Sequence, residues 1–227
     1  MDVKKFRQKG DKMGKIKKYG IQTIGEEIAN AISHGVGALL GIAGTAVLIV
    51  FAALKSGALG VVAASIYGFS LIVLHTMSTL YHSLTNEKAK KVFQVLDHCS
   101  IFLLILGTYT PISLCMIGGV PGILLFAVNS ALTVLGIVLN SVNMKKWHKI
   151  SMVFYLLMGW SVLFVLKYVP PVPTGGIILI LAGGLSYTIG IIFYKMKKLK
   201  FMHFIWHLFV LGGSILHYFF VLFYVYL

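Results

Sequence analysis

A chain of 227 residues that is 58% apolar and 11% charged, with a mean hydropathy of +0.90, lies far outside the composition of a soluble domain. Its net charge of +14 invites a nucleic-acid reading. However, no basic module interleaved with aromatics is present, and lysines flanking membrane helices are drawn to anionic lipid without any such partner. A transmembrane β-barrel is excluded as well, because runs such as residues 177–193 are continuously apolar rather than alternating.

The apolar runs predict membrane helices near residues 31–54, 58–84, 93–116, 119–141, 149–168, 174–194 and 201–226. Each is long enough, at about 1.5 Å per residue, to cross a hydrocarbon layer roughly 30 Å thick. The expected fold class is therefore an all-α integral membrane protein, a seven-transmembrane helix bundle. A basic tail over residues 1–25 precedes a single domain over residues 26–227. The tail is too long and too basic for a cleaved signal peptide.

Charge then orients the bundle. Lys4, Lys5, Arg7, Lys9, Lys12, Lys15, Lys17 and Lys18 precede the first span. Lys88, Lys90 and Lys91 join the second to the third, Lys145, Lys146 and Lys149 the fourth to the fifth, and Lys195, Lys197, Lys198 and Lys200 the sixth to the seventh. Only Lys55 and Lys167 fall on the opposite side, so the excess of positive charge predicts a cytoplasmic N-terminus and an outer C-terminus. The expected location is a cell membrane, crossed many times.

Punctuation within the spans marks close packing. Gly37 with Gly41, Gly183 with Gly184, and Gly212 with Gly213 read as small residues at helix contacts, and Pro111 predicts a bend in the third span. Pro170, Pro171 and Pro173 with Gly175 and Gly176 read as an outer turn. Cys99 and Cys115 share one helix about 24 Å apart and cannot bridge each other.

Ionisable groups at membrane depth are costly and usually face the bundle interior, so they carry the functional reading. His203 and His207, four apart, project from one helix face like two ligands of a metal site. The turn between spans two and three centres on residues 89 and 90, which places His82 and Asp97 at equal height on antiparallel helices. His203 follows Lys200 closely and falls at the same end. His34 precedes outer Lys55 by about 31 Å of helix, again the inner boundary, and Glu27 and Asn30 share its face.

Three neutral imidazoles with an open fourth position describe a catalytic zinc site better than a structural one. Asp97 binds the metal directly or holds its water as a nucleophile, and Ser78, one turn before His82, suits orienting an imidazole or the water. The plainer alternatives are hydrogen-bonded interior histidines and an ion pair of Asp97 with His98 or a loop lysine. His75 and His217 lie too deep to join the same ion and read as packed interior groups, and His148 beside Trp147 reads as an interfacial anchor.

The pattern ExxNxxxH over Glu27 to His34, SxxxH over Ser78 to His82, DHCSIFLLILGTYTP from Asp97, and HxxxH at His203 and His207 resembles the bacterial hemolysin III family. That family in turn resembles the progestin and adiponectin receptor superfamily, and the likeness runs from about residue 21 onward. It implies a seven-helix fold with an inner-leaflet zinc held by His82, His203 and His207, and Asp97 near a bound water. It implies a link to hydrolysis of lipid amides such as ceramide, with Glu27, Asn30 and His34 as structural support. A short tail and an end at Leu227 set hormone-receptor function aside.

Two functions compete at this point. One is metal-dependent hydrolysis of a membrane lipid amide or ester, with Asp97 as general base. The other is a cytolytic or pore-like activity, or a non-enzymatic regulator or sensor of membrane state. A monomeric pore wants a polar stripe along several spans, which the apolar middle depths lack. Transport wants broken helices and midplane charge, and only Pro111 interrupts a span.

Overall fold

The computed structural model describes residues 22–227, so residues 1–21 of the expected basic tail lie outside the described part. The regular elements among the described residues are helices: α1 (Ile24–Lys55), α2 (Gly57–Ser83), α3 (Glu87–Pro111), α4 (Gly119–Gly159), α5 (Thr174–Lys195) and α6 (Met202–Val221). Among these residues, six helices are long and apolar enough to cross a membrane, the fourth extended to Tyr168 by a tighter 3-10 stretch.

Local chemistry explains where each helix begins. Thr23 and Glu26 form a capping box at the head of α1, each satisfying the other's backbone N–H. The Asn86 side chain accepts from the N–H groups of Lys88 and Ala89 at 3.1 Å to open α3. The sharp link into α4 uses Gly118 and Gly119 at φ 65° and 54°, a conformation that favours glycine. Pro111, expected to bend the third span, stands where α3 gives way to a wider π-type stretch over Ile112–Ile117, since its missing N–H cannot continue the α-helical ladder.

The sequence separates 119–141 from 149–168, and this region shows how one uninterrupted-looking element holds two arms. Within α4, Asn143 has φ −160° and ψ 84°, which no helix accommodates, and its side chain accepts from the Lys146 N–H at 3.0 Å to restart the helix. Asn129 Nδ2 donates to Ser161 Oγ at 3.0 Å, although a continuous helix would hold those residues about 48 Å apart. Ser151 Oγ donates to Asn140 Oδ1 at 2.7 Å, so the chain doubles back around Asn143.

The interior holds an apolar core around Leu48, Tyr67 and Phe220, but the outer surface is apolar too. Ile32, Leu39, Val142 and Phe164 face outward, whereas Asn30, Ser78, Asn129 and Asn140 are buried, as expected where lipid is the solvent and polar groups pair inside. The close approaches involve side chains as well as backbones. A Cβ on Gly37 would come within 2.7 Å of the His75 ring, so this glycine makes room for a histidine. Helix α1 packs on both α2 and α6, α2 on α3, α3 on α4, and α5 on α6. Elements far apart in sequence therefore meet along the first turns of α1.

Candidate metal centre

The ligand atoms of His82 on α2 and of His203 and His207 on α6 lie within 4.8 Å of one another, all three side chains being wholly or largely buried. The ring centroids repeat that closeness: 5.2 Å for His82 and His203, 4.9 Å for His82 and His207, and 4.7 Å for His203 and His207. The HxxxH spacing thus acts as expected, with a third imidazole supplied across the α1–α2–α6 contact.

The proton positions follow from the partners. His82 Nδ1 is 2.6 Å from Glu27 Oε2, and since an ionised carboxylate only accepts, Nδ1 is the donor and Nε2 is the nitrogen left for another partner. His207 Nδ1 lies 3.3 Å from the Asn30 carbonyl, which likewise only accepts and leaves Nε2 as the free nitrogen. Nε2 of His82 and of His203 are buried without a hydrogen-bond partner among the described residues. Unmet buried polar atoms cost roughly 1–3 kcal/mol each, and two of them in a set of ligand atoms lying within 4.8 Å of one another fit a place that could hold an ion. The donor set suits zinc or a similar divalent metal: neutral imidazoles, one of them oriented by a carboxylate on its far nitrogen. The triad can hold a metal ion.

The first turns of α1 set up this geometry. Glu27 grips His82 with one oxygen and the Lys90 ammonium with the other, at 2.9 Å. Asn30 offers its carbonyl to His207, and its Nδ2 donates to Gln22 Oε1 at 2.8 Å while lying 3.4 Å from His82 Nδ1. Ser33 Oγ sits 3.4 Å from His207 Nδ1 and donates to the Asn30 carbonyl at 2.9 Å. His34 stacks on His207 with centroids 3.8 Å apart and planes 17° apart, a tighter relation than general support. Glu26 accepts the Phe201 N–H at 2.7 Å, fixing the left-handed residue (φ 60°) that opens α6 two positions before His203.

Asp97 is not in the mutually close set, yet it lies on the wall of a cavity that also exposes His203 and His207. Its Oδ2 is 3.5 Å from His98 Nδ1, a nitrogen that makes a shorter 2.9 Å bond to the Gln94 carbonyl. Ser78 is buried one turn from His82, its hydroxyl without a partner among the described residues. The cavity runs between α3, the second arm of α4, α5 and α6. Along α3 it extends from Asp97 to Tyr109, about 18 Å of helix, with mostly apolar walls such as Ile101, Leu104 and Ile105.

The deeper histidines behave as their depth implies. His217 is 3.1 Å from the Ile180 carbonyl, and His75 sets its edge against His34 with centroids 4.8 Å apart. His148 differs from the expected interfacial anchor: it is part of the cavity wall, 6.3 Å from the His98 ring and 5.8 Å from Tyr194. Sequence reading missed Glu26 and Ser33 and took Lys90 for a loop charge only. The local signal for Glu26 was the acidic pair Glu26–Glu27 behind Thr23, a pattern shared with any capped helix start.

The chain is similar to known proteins over most of its length. The chain is 45% identical to "Hemolysin-3" of Bacillus cereus over 205 residues, covering 90% of this chain and 94% of that one. It is 43% identical to "Hemolysin-3 homolog" of Bacillus subtilis (strain 168) over 203 residues, covering 89% and 95%. A more distant likeness, 28% over 213 residues and 88% and 85% of the two chains, links it to the human "Monocyte to macrophage differentiation factor". The profile of the family described as "Haemolysin-III related" matches residues 22–218, a stretch that contains the whole triad and its supporting helix. This multi-pass membrane protein belongs to the haemolysin-III-related family.

Proposed function

We propose that the protein is a zinc-dependent hydrolase of an amide- or ester-linked membrane lipid, working at the cytoplasmic leaflet of a bacterial cell membrane. The observation that carries this reading is the meeting of two features: a buried imidazole triad with unpartnered nitrogens, and a long, mostly apolar cavity that ends on two of its members. A structural metal would need neither the cavity nor a set of only three protein ligands.

In this reading His82, His203 and His207 hold the ion, and zinc, when bound, supplies a water made acidic enough to act near neutral pH and a positive charge beside the carbonyl. The residues of the chain do the rest. Glu27 holds the His82 ring in one tautomer, and Asn30 does the same for His207. The walls along Ile101, Leu104 and Ile105 bury an acyl chain and exclude bulk water. Asp97 accepts a proton from the attacking water and delivers it to the leaving nitrogen or oxygen, so one water is consumed and an acid plus an amine or alcohol result. Ser78, its hydroxyl unpartnered, orients the water or the acyl oxygen.

The doubling back at Asn143 supports a seven-span topology, because a 50-residue element of about 75 Å is far too long for one crossing. With Lys145, Lys146 and Lys149 at that turn and Lys88, Lys90 and Lys91 at the α2–α3 turn, the triad end faces the cytoplasm and the C-terminus lies outside. The test is turnover of acyl-amide and acyl-ester lipids by purified protein, with and without a chelator. Turnover that disappears with chelation and returns with zinc supports the reading; full metal occupancy with no turnover of any lipid class rejects it.

A further inference from the structure

Two separate hollows reach the triad, and no residue of the triad borders both. The long cavity touches His203 and His207 but neither His82 nor Glu27. A second hollow, a groove between the first turns of α1 and the α2–α3 turn, touches His82 and Glu27 but neither His203 nor His207. The imidazoles therefore form a partition. One wall of the groove is apolar, built from Ile24, Ile28 and Ile32, and the other carries Ser83, Thr85 and Lys90.

We propose that a divalent cation reaches and leaves the triad through this groove, with Glu27 as its first protein ligand and the Lys90 ammonium as the group it displaces. The alternative route is the long cavity; its carboxylate, Asp97, lies outside the mutually close set of ligand atoms, and its walls run on past Ile101, Leu104 and Ile105, where a dication would lose its hydration without gaining a partner. The groove offers instead an ionised carboxylate already in contact with a triad imidazole, 2.6 Å from His82 Nδ1. Lys90 sits on the other oxygen of that carboxylate at 2.9 Å and rests over the Tyr81 ring, 5.0 Å from its centroid. A positive charge on the outer oxygen both repels an arriving cation and must move aside for it, so the pair acts as a latch on the route. His82 would be the residue common to both stages, since it contacts Glu27 and its ligand atom lies within 4.8 Å of those of His203 and His207. The inference rests on the metal reading of the triad and not on hydrolysis.

The experiment measures metal stoichiometry first, then the rates of zinc uptake by stripped protein and of zinc loss to a chromophoric chelator, in detergent. Lys90→Met opens the latch: uptake and release should both rise about tenfold, the rate equivalent of losing one hydrogen bond to a charged group, with the equilibrium affinity nearly unchanged. Ala31→Phe narrows the groove and should slow both rates together, again at constant affinity. Met152→Trp, on the wall of the long cavity, narrows it and should leave both rates as in the wild type. Rates slowed by Met152→Trp and untouched by Ala31→Phe overturn the route. So do rates indifferent to Lys90→Met when that variant elutes and melts like the wild type. Absence of bound metal in the wild type overturns the route together with the metal reading. Metal exchange that follows the groove variants in a protein without lipid turnover leaves the route standing and removes only the hydrolase.

Discussion

The two ends of the bundle treat buried polar groups in opposite ways. At the end remote from the triad they find partners inside the protein: Tyr109 Oη donates to the Gly159 carbonyl at 2.7 Å, Tyr226 Oη to the Gly60 carbonyl at 3.1 Å, and Asn129 Nδ2 to Ser161. Tyr67 Oη, Ser113 Oγ and Asn129 Oδ1 are exceptions. At the triad end, both nitrogens of His34, Nε2 of His82 and His203, Nδ1 of His75, Oγ of Ser78 and Oδ1 of Asn30 lack partners among the described residues, although they crowd into a few turns. Polar side chains that satisfy each other hold helices together in lipid, whereas the unsatisfied cluster includes three imidazoles that could hold a metal ion.

The largest expected effect separates the two ends outright. His82→Ala or His207→Ala should lower metal affinity by more than about a hundredfold, beyond what loss of an orienting neighbour costs, as read by metal content after dialysis. Replacing far-end His217 with Ala should leave metal content intact while lowering thermal stability, because a hydrogen bond to Ile180 and a buried ring are lost. Equal metal loss from all three would erase the distinction between the ends.

Next in size is Glu27→Gln, expected to weaken metal binding about 10- to 100-fold, since the orienting charge on His82 is lost while the side-chain shape is kept. Isothermal titration with zinc checks it. Gly37→Ala should follow, destabilising by about 1–3 kcal/mol because its new Cβ meets the His75 ring, which must shift against His34. The smallest effect belongs to Asn129→Ala, about 1 kcal/mol of stability with unchanged metal binding, since it loses one bond between the arms of α4. Denaturation in mixed micelles reads both.

These contrasts also show what the sequence discloses. Heights along helices were legible, because counting from lysine-rich turns puts His82, Asp97 and His203 at one level without any knowledge of packing. Azimuth was not. That Glu26 reaches the Phe201 N–H, or that His34 lies flat on His207, depends on which face of α1 meets α6, and no local spacing encodes that contact. The break at Asn143 was legible only through the lysines and polar residues around it, since helical structure continues on both sides of a single non-helical residue. Asp97 shares a cavity wall with His203 and His207 yet stands outside the mutually close set, a matter of side-chain direction that spacing along the chain does not encode.

The measurement that bears most directly on the central claim is elemental analysis of detergent-purified protein, wild type beside His203→Ala. A buried imidazole triad made for a cation requires about one zinc per chain in the wild type and a large loss in a variant that still elutes and melts as a folded protein. Wild-type protein without metal, or a variant that retains it in full, would contradict the account.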